Sequence, residues 1–265
     1  MSFQDRVIWL TGASSGIGEA LAYALARAGA RLVLSSRRAE ELERVRGRCE
    51  RPDDHLALPL DLMRPETFAT AVAAVVKRFG RIDVLLNNGG VSQRGLAADT
   101  TPEIERMLME VNYFGPVGLT KAVLPTLRAQ RAGTIVVVSS VMGYLGTPGR
   151  STYAAAKHAL HGYFDSLRAE VWRDGVRVML ACPGYVRTAV SANALGPRGE
   201  TRAPTAESHR TGISAERCAA VILRGLATGR EEIYIGREVY AIYLQRLVPR
   251  LVSKVMRRMR FSGDR

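Results

Sequence analysis

The chain has 265 residues, of which 47% are hydrophobic and 24% charged, a balance typical of a globular protein and not of a disordered one. The formal net charge of +13 predicts attraction to anions but does not distinguish nucleic acid, anionic lipid and an acidic carrier protein. Three widely spaced cysteines and four scattered histidines form no disulfide framework or metal motif, and no apolar run reaches the roughly 20 residues that cross a bilayer.

Short apolar runs alternate with helical patterns from the N-terminus onward. The run from Val7 to Leu10 predicts a first strand, which TGASSGIG joins to an alanine-rich helix ending near Ala28. Helices are also predicted at 39–50 and 65–79, and further strands in RLVLSS, at 55–60, and in IDVLLNN, GTIVVVSS, RVMLACPG and EEIYIG. Because such alternation implies right-handed crossovers, we predict an α/β fold: one doubly wound Rossmann domain over residues 1–236, with about seven parallel strands and helices on both faces.

A glycine-rich turn follows the first predicted strand. Gly12, Gly16 and Gly18 stand where a tight turn and a close approach of the backbone to a pyrophosphate require glycine. The helix that begins here offers unpaired N–H groups and a partial positive charge to the same anion. The turn therefore predicts a dinucleotide site, with contacts from these glycines and from Ser14, Ser15 and Ile17 between them.

The end of the second predicted strand indicates which dinucleotide binds. NAD sites usually carry a carboxylate about 20 residues beyond the glycine turn, where it bonds a ribose hydroxyl. This chain instead has Ser35, Ser36, Arg37 and Arg38 at that place. Because a guanidinium matches a phosphate and a carboxylate repels it, we favour NADP(H) over NAD(H), with Ser36 and Arg37 as the phosphate contacts. The alternative role, for Arg38 above all, is to begin a solvated helix.

A tyrosine and a lysine are spaced four residues apart in STYAAAKHAL. The three alanines favour a helix, on which Tyr153 and Lys157 share one face. Taken alone, the pair also fits an ordinary solvent-facing helix surface.

Six motifs, in order along the chain, resemble those of the short-chain dehydrogenase/reductase family. They are the glycine turn, NNGG at 87–90, Asn112, Ser140, the Y-x-x-x-K pair and PGYVRT at 183–188. Ser140 precedes Tyr153 by thirteen residues, as is usual in that family. Three segments also resemble its dehydrogenase/reductase member 7 subgroup: NYFGPVGLTKAVLPTL, RSTYAAAKHAL and PGYVRTAVSANAL. Gly89 replaces the usual alanine of NNAG, which loosens the loop without removing a reacting group.

The resemblance implies a catalytic tetrad of Asn112, Ser140, Tyr153 and Lys157. Tyr153 would protonate the alkoxide left by hydride transfer, and an ammonium about 4 Å away would lower its pKa from the usual ~10 by roughly two to three units. Ser140, with Ser139 as the competing candidate, would hold the substrate carbonyl. Asn112 would support a water that links Lys157 to solvent.

The resemblance also implies a wider set of cofactor contacts. Asp61 would accept from the adenine amine, although a helix N-cap is its alternative role. Asn88 would pack under a ribose, while Val186 and Thr188 would hold the nicotinamide carboxamide. The implied contacts are Asp61, Leu62, Asn88, Gly89, Gly90, Tyr153, Lys157, Pro183, Gly184, Val186 and Thr188.

Two C-terminal segments carry separate signals. Residues 189–212 are rich in Gly, Pro, Ser and Thr, which predicts a flap over the substrate. Residues 237–265 form a basic amphipathic extension, in which arginines and Lys254 alternate with apolar residues at helical spacing. This pattern predicts either peripheral contact with an anionic membrane or packing against the domain or a second subunit. Pro249 predicts a break in the helix.

These features predict an NADP(H)-dependent oxidoreductase that interconverts a ketone or aldehyde and an alcohol on a hydrophobic, lipid-like substrate. The alternatives are a 3-oxoacyl-[acyl-carrier-protein] reductase, whose acidic carrier would dock on the basic surface, and a non-catalytic NADP(H)-binding regulator. The family resemblance implies a homodimer or homotetramer. No metal is predicted, and no nucleic-acid motif accompanies the positive charge. Because the N-terminus lacks a secretory signal pattern, we expect a cytoplasmic protein, with peripheral membrane contact left open.

Overall fold

One parallel sheet organises the chain, for which the computed structural model describes residues 1–188, 194–202 and 212–258. Its strands are β1 (Val7–Thr11), β2 (Arg31–Ser35), β3 (Leu56–Ala57), β4 (Val84–Asn87), β5 (Gly133–Val138), β6 (Val176–Pro183) and β7 (Glu232–Ile235). They lie in the order β7-β6-β5-β4-β1-β2-β3. The predicted seven-stranded parallel sheet is therefore confirmed, and the order reverses between β1 and β4, where open α/β sheets bind their ligands.

Helices connect the strands and cover both faces of the sheet. They are α1 (Gly16–Arg27), α2 (Ala39–Arg48), α3 (Phe68–Phe79), α4 (Pro102–Met109), α5 (Gly115–Gln130), α6 (Ser151–Val171), α7 (Ala215–Ala227), α8 (Tyr240–Leu247) and α9 (Pro249–Met256). The helix break predicted from Pro249 is confirmed, because α8 ends just before it and α9 begins with it. In the part of the chain described, no helix has both the length and the apolar character that crossing a bilayer requires.

The central strand β1 shows why the sheet is buried on both faces. All five of its residues are buried, and their side chains alternate between two apolar clusters. Ile8 and Leu10 face the cluster that α1 and α7 complete, whereas Trp9 faces the one that α3, α5 and α6 complete. Each fully buried large apolar side chain contributes about 1.5–3 kcal/mol. The continuous apolar runs of the sequence are thus the strands of a sheet with two covered faces.

The edge strand β3 is shorter than the sequence predicts. Only Leu56–Ala57 pairs as a strand, whereas residues 55–60 were expected. Beyond it the backbone still contacts β2, because the N–H groups of Leu58 and Leu60 donate to the carbonyl oxygens of Leu34 (2.9 Å) and Ser36 (3.0 Å), although the pairing is no longer regular. The predicted helix at 65–79 likewise begins as a separate 3₁₀ turn, Pro65–Thr67, before α3.

A π-helical turn joins α4 to α5. It spans Glu110–Phe114 and contains Asn112, whose side chain is fully buried. The sequence predicted a helical stretch here but not the wider turn. Because a π turn inserts one residue into an α-helix, it re-aims the side chains beyond it, and such turns are frequent at functional sites.

Candidate nucleotide and catalytic site

A cavity of about 640 Å³ opens where the carboxyl ends of the strands meet. Nearly all of the residues predicted for the site line it. They are Gly12, Ser14, Ser15, Ile17, Ser36, Arg37, Arg38, Asp61, Leu62, Asn88, Gly89, Gly90, Asn112, Ser140, Tyr153, Lys157, Pro183, Gly184, Val186 and Thr188. The structure therefore brings together motifs that lie far apart in the sequence.

The two remaining predicted residues, Gly16 and Gly18, act through packing at the glycine turn. Gly16 has a φ of +58°, and a β-carbon on it would lie 3.0 Å from the Thr188 side chain. A β-carbon on Gly18 would lie 2.1 Å from the carbonyl oxygen of Gly12. Gly12 itself has a φ of +66° and passes so close to Gly89 that a β-carbon would be 2.8 Å from its Cα. The turn therefore needs glycine at all three positions.

The NNGG segment is hydrogen-bonded to the end of β1. The Thr11 hydroxyl oxygen accepts the N–H groups of Asn88 (3.1 Å) and Gly89 (3.0 Å). The Asn88 amide in turn donates to the carbonyl oxygens of Thr11 (3.1 Å) and Gly12 (3.3 Å). These four bonds fix the two loops against each other and shape a rigid cradle on one side of the cavity.

The end of β2 presents arginines to the cavity. Arg38 donates from Nη2 to the Ser14 hydroxyl (2.9 Å), and its backbone N–H donates to Ser36 Oγ (3.1 Å). Arg37 lines the cavity with its side chain exposed. Arg38 is also the N-cap residue of α2, which is the alternative role predicted for it. Its bond to Ser14 ties that helix to the glycine turn.

Asp61 makes a local turn contact at the cavity, and the N-cap of the turn that follows is Arg64 instead. Asp61 Oδ1 accepts the N–H of Met63 at 3.0 Å, a local turn contact of the capping kind. The residue also lines the cavity beside Leu62. Among the described lining residues the only carboxylates are Asp61 and Glu238, so none stands at the end of β2.

Helix α6 carries Tyr153 and Lys157, and Ser140 follows the end of strand β5. The Lys157 side chain is only 5% exposed, and its Nζ donates to the carbonyl oxygen of Val138 at 3.0 Å. The same Nζ lies 5.7 Å from the centroid of the Tyr153 ring. Tyr153 is half-buried at the cavity wall, which Ser140 also lines, and the Ser140 hydroxyl lies within 3.4 Å of the carbonyl oxygen of Pro183, to which it donates. Tyr153 and Lys157 thus face one way, into the cavity, and not into solvent.

The pKa values at this point differ from the sequence-based expectation. Burial raises the pKa of Tyr153, although the charge of Arg150 and the hydrogen bond with Ser140 act to lower it. The direction of the shift is opposite to the one predicted, and Lys157 is not among its causes. Lys157 is itself perturbed, because burial lowers its pKa from 10.5 to about 8.

Asn112 holds the backbone on the opposite wall of the cavity. Its Nδ2 donates to the carbonyl oxygen of Val91 and its Oδ1 accepts the Val91 N–H, both at 3.0 Å. A β-carbon on Gly90 would lie 2.7 Å from Asn112 Oδ1 and 3.9 Å from Lys157 Nζ. Because Gly90 has no side chain, it leaves a polar gap between the Asn112 amide and the Lys157 ammonium.

Sequence reasoning missed several residues of the site. Arg150 lines the cavity with its Cζ 6.0 Å from the Tyr153 ring centroid, and it donates to Ser92 Oγ at 2.6 Å. Its position at the N-cap of α6, three residues before Tyr153, was the available signal. Glu238, Ala241 and Met256 also line the cavity, although no local pattern links them to it.

The C-terminal helices α8 and α9 pack against the domain on their inner side. Ile242 is buried with Val141 and Leu145 in a third apolar cluster, against which Ala241 and Met256 pack. Of the predicted flap at 189–212, residues 189–193 and 203–211 lie outside the described part. Within the rest, Ala194–Leu195 pairs with Thr201–Arg202 in a small antiparallel ribbon.

Comparison with known proteins gives matches over most of the chain. A family model described as short chain dehydrogenase matches residues 6–197. The human protein called dehydrogenase/reductase SDR family member 7 is 42% identical over 257 residues, which cover 92% of this chain and 75% of the human one.

Solved structures match the fold over nearly its whole length. A short-chain dehydrogenase/reductase from Burkholderia phymatum in complex with NAD has a TM-score of 0.84 at 24% identity, covering 95% of this chain and 96% of that one. A short-chain dehydrogenase from Burkholderia cenocepacia J2315 in complex with NADP has a TM-score of 0.80 at 25% identity, covering 98% and 100%. These similar chains therefore hold nicotinamide dinucleotides of both kinds.

Proposed function

The chain belongs to the short-chain dehydrogenase/reductase family of oxidoreductases, and on that premise we propose that it uses NADP(H) to interconvert a ketone or aldehyde and an alcohol. The observation that carries the proposal is that Tyr153, Lys157 and Ser140 line the same cavity as the glycine turn. The glycine cradle and the arginines at the end of β2 fit a dinucleotide phosphate. A nicotinamide, when bound, supplies or accepts the hydride.

The side chains that line the cavity suit the proton transfer that accompanies hydride transfer. Because burial raises the pKa of Tyr153, its phenol stays protonated at neutral pH and can donate to an alkoxide. Ser140, which lines the cavity together with Tyr153, would hold a carbonyl oxygen by its hydroxyl. Lys157, with a pKa of about 8, can return a proton to Tyr153 near neutral pH. The polar gap at Gly90 gives that proton a route past Asn112.

Enzyme activity can be tested on the protein as it stands. The assay follows NADPH consumption with a panel of aliphatic, aromatic and steroid ketones at neutral pH. Turnover of at least one hydrophobic ketone is the expected result. If no ketone is reduced and no matching alcohol is oxidised, while NADPH still binds, the non-catalytic regulator becomes the better interpretation.

The preference for NADP(H) rests on Arg37, which stands exposed at the cavity beside Ser36. A guanidinium there can pair with a ribose phosphate, and no carboxylate ends β2 to bind a ribose hydroxyl instead. We expect Arg37→Glu to raise the KM for NADPH roughly ten- to hundredfold, since a charge-assisted hydrogen bond is worth about 1.5–3 kcal/mol. The KM for NADH should fall or stay the same.

The measurement is the ratio of kcat/KM for NADPH and NADH in the two proteins. Arg31→Gln serves as the control, because Arg31 is an exposed arginine at the start of β2, whereas Arg37 follows its end. If the ratio of kcat/KM for NADPH and NADH is unchanged in Arg37→Glu, Arg37 does not bind the phosphate.

The substrate end of the cavity supports a hydrophobic, lipid-like substrate. Beyond Tyr153 its wall includes Val141, Met142, Leu145, Ala241 and Met256. These side chains offer an apolar surface long enough to take more than a small carbonyl group. We therefore propose a ketone or alcohol with a large apolar body as the substrate class.

The outer side of α8 and α9 supports peripheral binding to an anionic membrane. Leu247 is 78% exposed, and Tyr240, Tyr243, Leu244, Leu251 and Val255 are each about half exposed or more. Arg246, Arg250 and Lys254 lie among them in the sequence. Apolar side chains with basic neighbours match an interface of acyl chains and anionic headgroups. Because Ala241 and Met256 line the cavity from the other side, a lipid-like substrate would have a short path.

We expect the double substitution Leu247→Glu and Leu251→Glu to weaken vesicle binding by at least about tenfold, because each apolar side chain contributes roughly 1.5–3 kcal/mol on burial. Cosedimentation with phosphatidylcholine vesicles, with and without phosphatidylglycerol, measures the effect. Trp172→Glu is the control, since Trp172 is 65% exposed but lies outside α8 and α9. Deletion of residues 238–265 should abolish vesicle binding and spare NADPH affinity. If the double variant binds vesicles normally but changes the mass measured by light scattering, this surface packs on a second subunit instead.

We also propose that the chain forms a homodimer or homotetramer, as its family membership supports.

A further inference from the structure

One stripe of α6 contacts three successive residues at the end of β5. Lys157 donates to the carbonyl oxygen of Val138, and Tyr153 lies beside Ser140, whose hydroxyl acts to lower the pKa of the phenol. One helical turn after Lys157, the Nε2 of His161 lies 2.8 Å from the hydroxyl oxygen of Ser139. The last of these contacts belongs to no motif of the sequence and has no role in the chemistry described above.

His161 is surrounded by buried polar groups, most of which have hydrogen-bond partners. Its Nε2 lies 3.8 Å from Cys182 Sγ, and its Nδ1 lies 3.8 Å from Glu232 Oε1. Among the described residues, that Nδ1 has no hydrogen-bond partner. The Glu232 carboxylate instead accepts from Tyr144, from Tyr234 at 3.0 Å and from Cys182 at 3.6 Å. The single strong bond of the imidazole is therefore the one to Ser139.

The imidazole is neutral at this place. Burial lowers its pKa, against the opposing influence of Glu232 and Asp165, while His158 and Lys157 lower it further. The other titratable groups that face it are Cys182, whose pKa burial raises, and Tyr144, whose ring centroid lies 4.4 Å from the imidazole. A neutral imidazole beside a hydroxyl gives one defined hydrogen bond and adds no second charge next to the Lys157 ammonium.

The turn after β5 is shaped to admit His161. A β-carbon on Gly143 would lie 2.3 Å from His161 Nε2 and 2.9 Å from Ser139 Oγ. The same turn begins at Ser140, whose Oγ accepts the Met142 N–H at 3.1 Å. The imidazole thus lies directly behind the turn that presents Ser140 to the cavity.

We propose that His161 is a positioning residue, whose hydrogen bond to Ser139 holds the end of β5 so that Ser140 meets the substrate carbonyl beside Tyr153. The inference rests on the proposed role of Ser140. A displacement of the turn by a fraction of an ångström would lengthen the contact between Ser140 and Tyr153, and catalytic hydrogen bonds are sensitive to such shifts.

A cation is the competing occupant of this cluster. Ligand atoms of His161, Cys182 and Glu232 all lie within 4.8 Å of one another. However, burial raises the pKa of the Cys182 thiol, which opposes the thiolate that a metal would need. The Glu232 carboxylate is also occupied by two tyrosine hydroxyls. The arrangement favours a hydrogen-bonded network over a metal site.

The test compares two amide substitutions at His161. Glutamine places its amide nitrogen near the position of Nε2 and can keep the bond to Ser139, whereas asparagine places it near Nδ1 and cannot. His161→Asn should lower kcat roughly five- to tenfold, the effect of losing one net hydrogen bond, with the KM for NADPH unchanged. His161→Gln should restore most of that loss. His158→Gln, an exposed histidine on the same helix, should leave kcat unchanged.

A double-mutant cycle and hydrogen exchange complete the test. If the effect runs through the bond, Ser139→Ala and His161→Asn together should cost no more than the larger single substitution. In His161→Asn, but not in His161→Gln, the amides of residues 139–143 should exchange about fivefold faster, since one supporting hydrogen bond is lost. This readout does not need turnover.

The outcomes separate the two proposals. Unchanged exchange in His161→Asn, equal effects of Asn and Gln, additive costs in the cycle, or one zinc per chain by elemental analysis would each overturn the positioning role. If the wild-type protein reduces no ketone, the proposed function fails, and the exchange data alone still decide whether His161 holds the turn.

Discussion

Tyr153→Phe should lower kcat for ketone reduction by about 10²–10⁴-fold, the usual contribution of a general acid. In the proposed mechanism the phenol gives its proton to the developing alkoxide, and it stays protonated until then because burial raises its pKa. NADPH should bind with a dissociation constant within about tenfold of the wild type, because only one hydroxyl is lost. Steady-state kinetics and the quenching of NADPH fluorescence give the two values.

Tyr163→Phe is the matched control for this substitution. Tyr163 also lies on α6, but it packs against Tyr113 and Phe164 away from the cavity. Removing its hydroxyl should leave kcat unchanged. A Tyr153→Phe protein that keeps more than about a tenth of wild-type activity is incompatible with general acid catalysis by this residue.

Lys157→Met should inactivate the protein and stabilise its fold at the same time. Burial lowers the pKa of Lys157 from 10.5 to about 8, so the ammonium is disfavoured in the folded state by roughly 3 kcal/mol. Methionine fills similar space without a charge but leaves the Val138 carbonyl oxygen unpaired, which costs about 1 kcal/mol. A net gain of about 2 kcal/mol in the free energy of unfolding is expected at pH 7. The loss in kcat should be roughly 10²-fold, the scale of one electrostatic contact in a transition state.

The stability gain should depend on pH in a defined direction. Below about pH 8 both folded and unfolded wild-type chains carry the ammonium, and the full penalty applies. Between about pH 8 and 10.5 the folded chain loses this proton first, so wild-type stability rises toward that of the variant. Urea unfolding at pH 7 and pH 10 measures the two differences.

Lys121→Met provides the comparison, because Lys121 is an exposed lysine on α5. It should change neither kcat nor the free energy of unfolding by more than about 0.5 kcal/mol. If Lys157→Met destabilises the protein at pH 7 as much as at pH 10, the ammonium is not disfavoured in the folded state.

The sequence predicted the sheet and most of the cavity wall because both depend on local patterns. Apolar runs such as VIWLT can only be strands with two covered faces, and parallel strands bring their carboxyl ends to one edge. The motifs that follow β1, β4, β5 and β6 therefore lie close together at that edge of the sheet. The spacing of Tyr153 and Lys157 needed nothing beyond helical periodicity.

Other features depend on contacts between distant parts of the chain. The π turn at Asn112 follows from its bonds to Val91, twenty-one residues earlier. The raised pKa of Tyr153 follows from packing, which spacing does not report. The amphipathic pattern of α8 and α9 could not show which side faces the cavity, because an apolar helix face can bind either a membrane or a protein surface.

The wall that α9 contributes also bears on the order in which the protein is made. The loops after β1 and β4 that form the glycine cradle are complete by about residue 112, whereas Met256 enters the cavity from the far end of the chain. Because a single domain folds as a unit, the cavity is complete only once the C-terminal helices have been synthesised. The wall proposed to contact the substrate is therefore the last part of the cavity to be made.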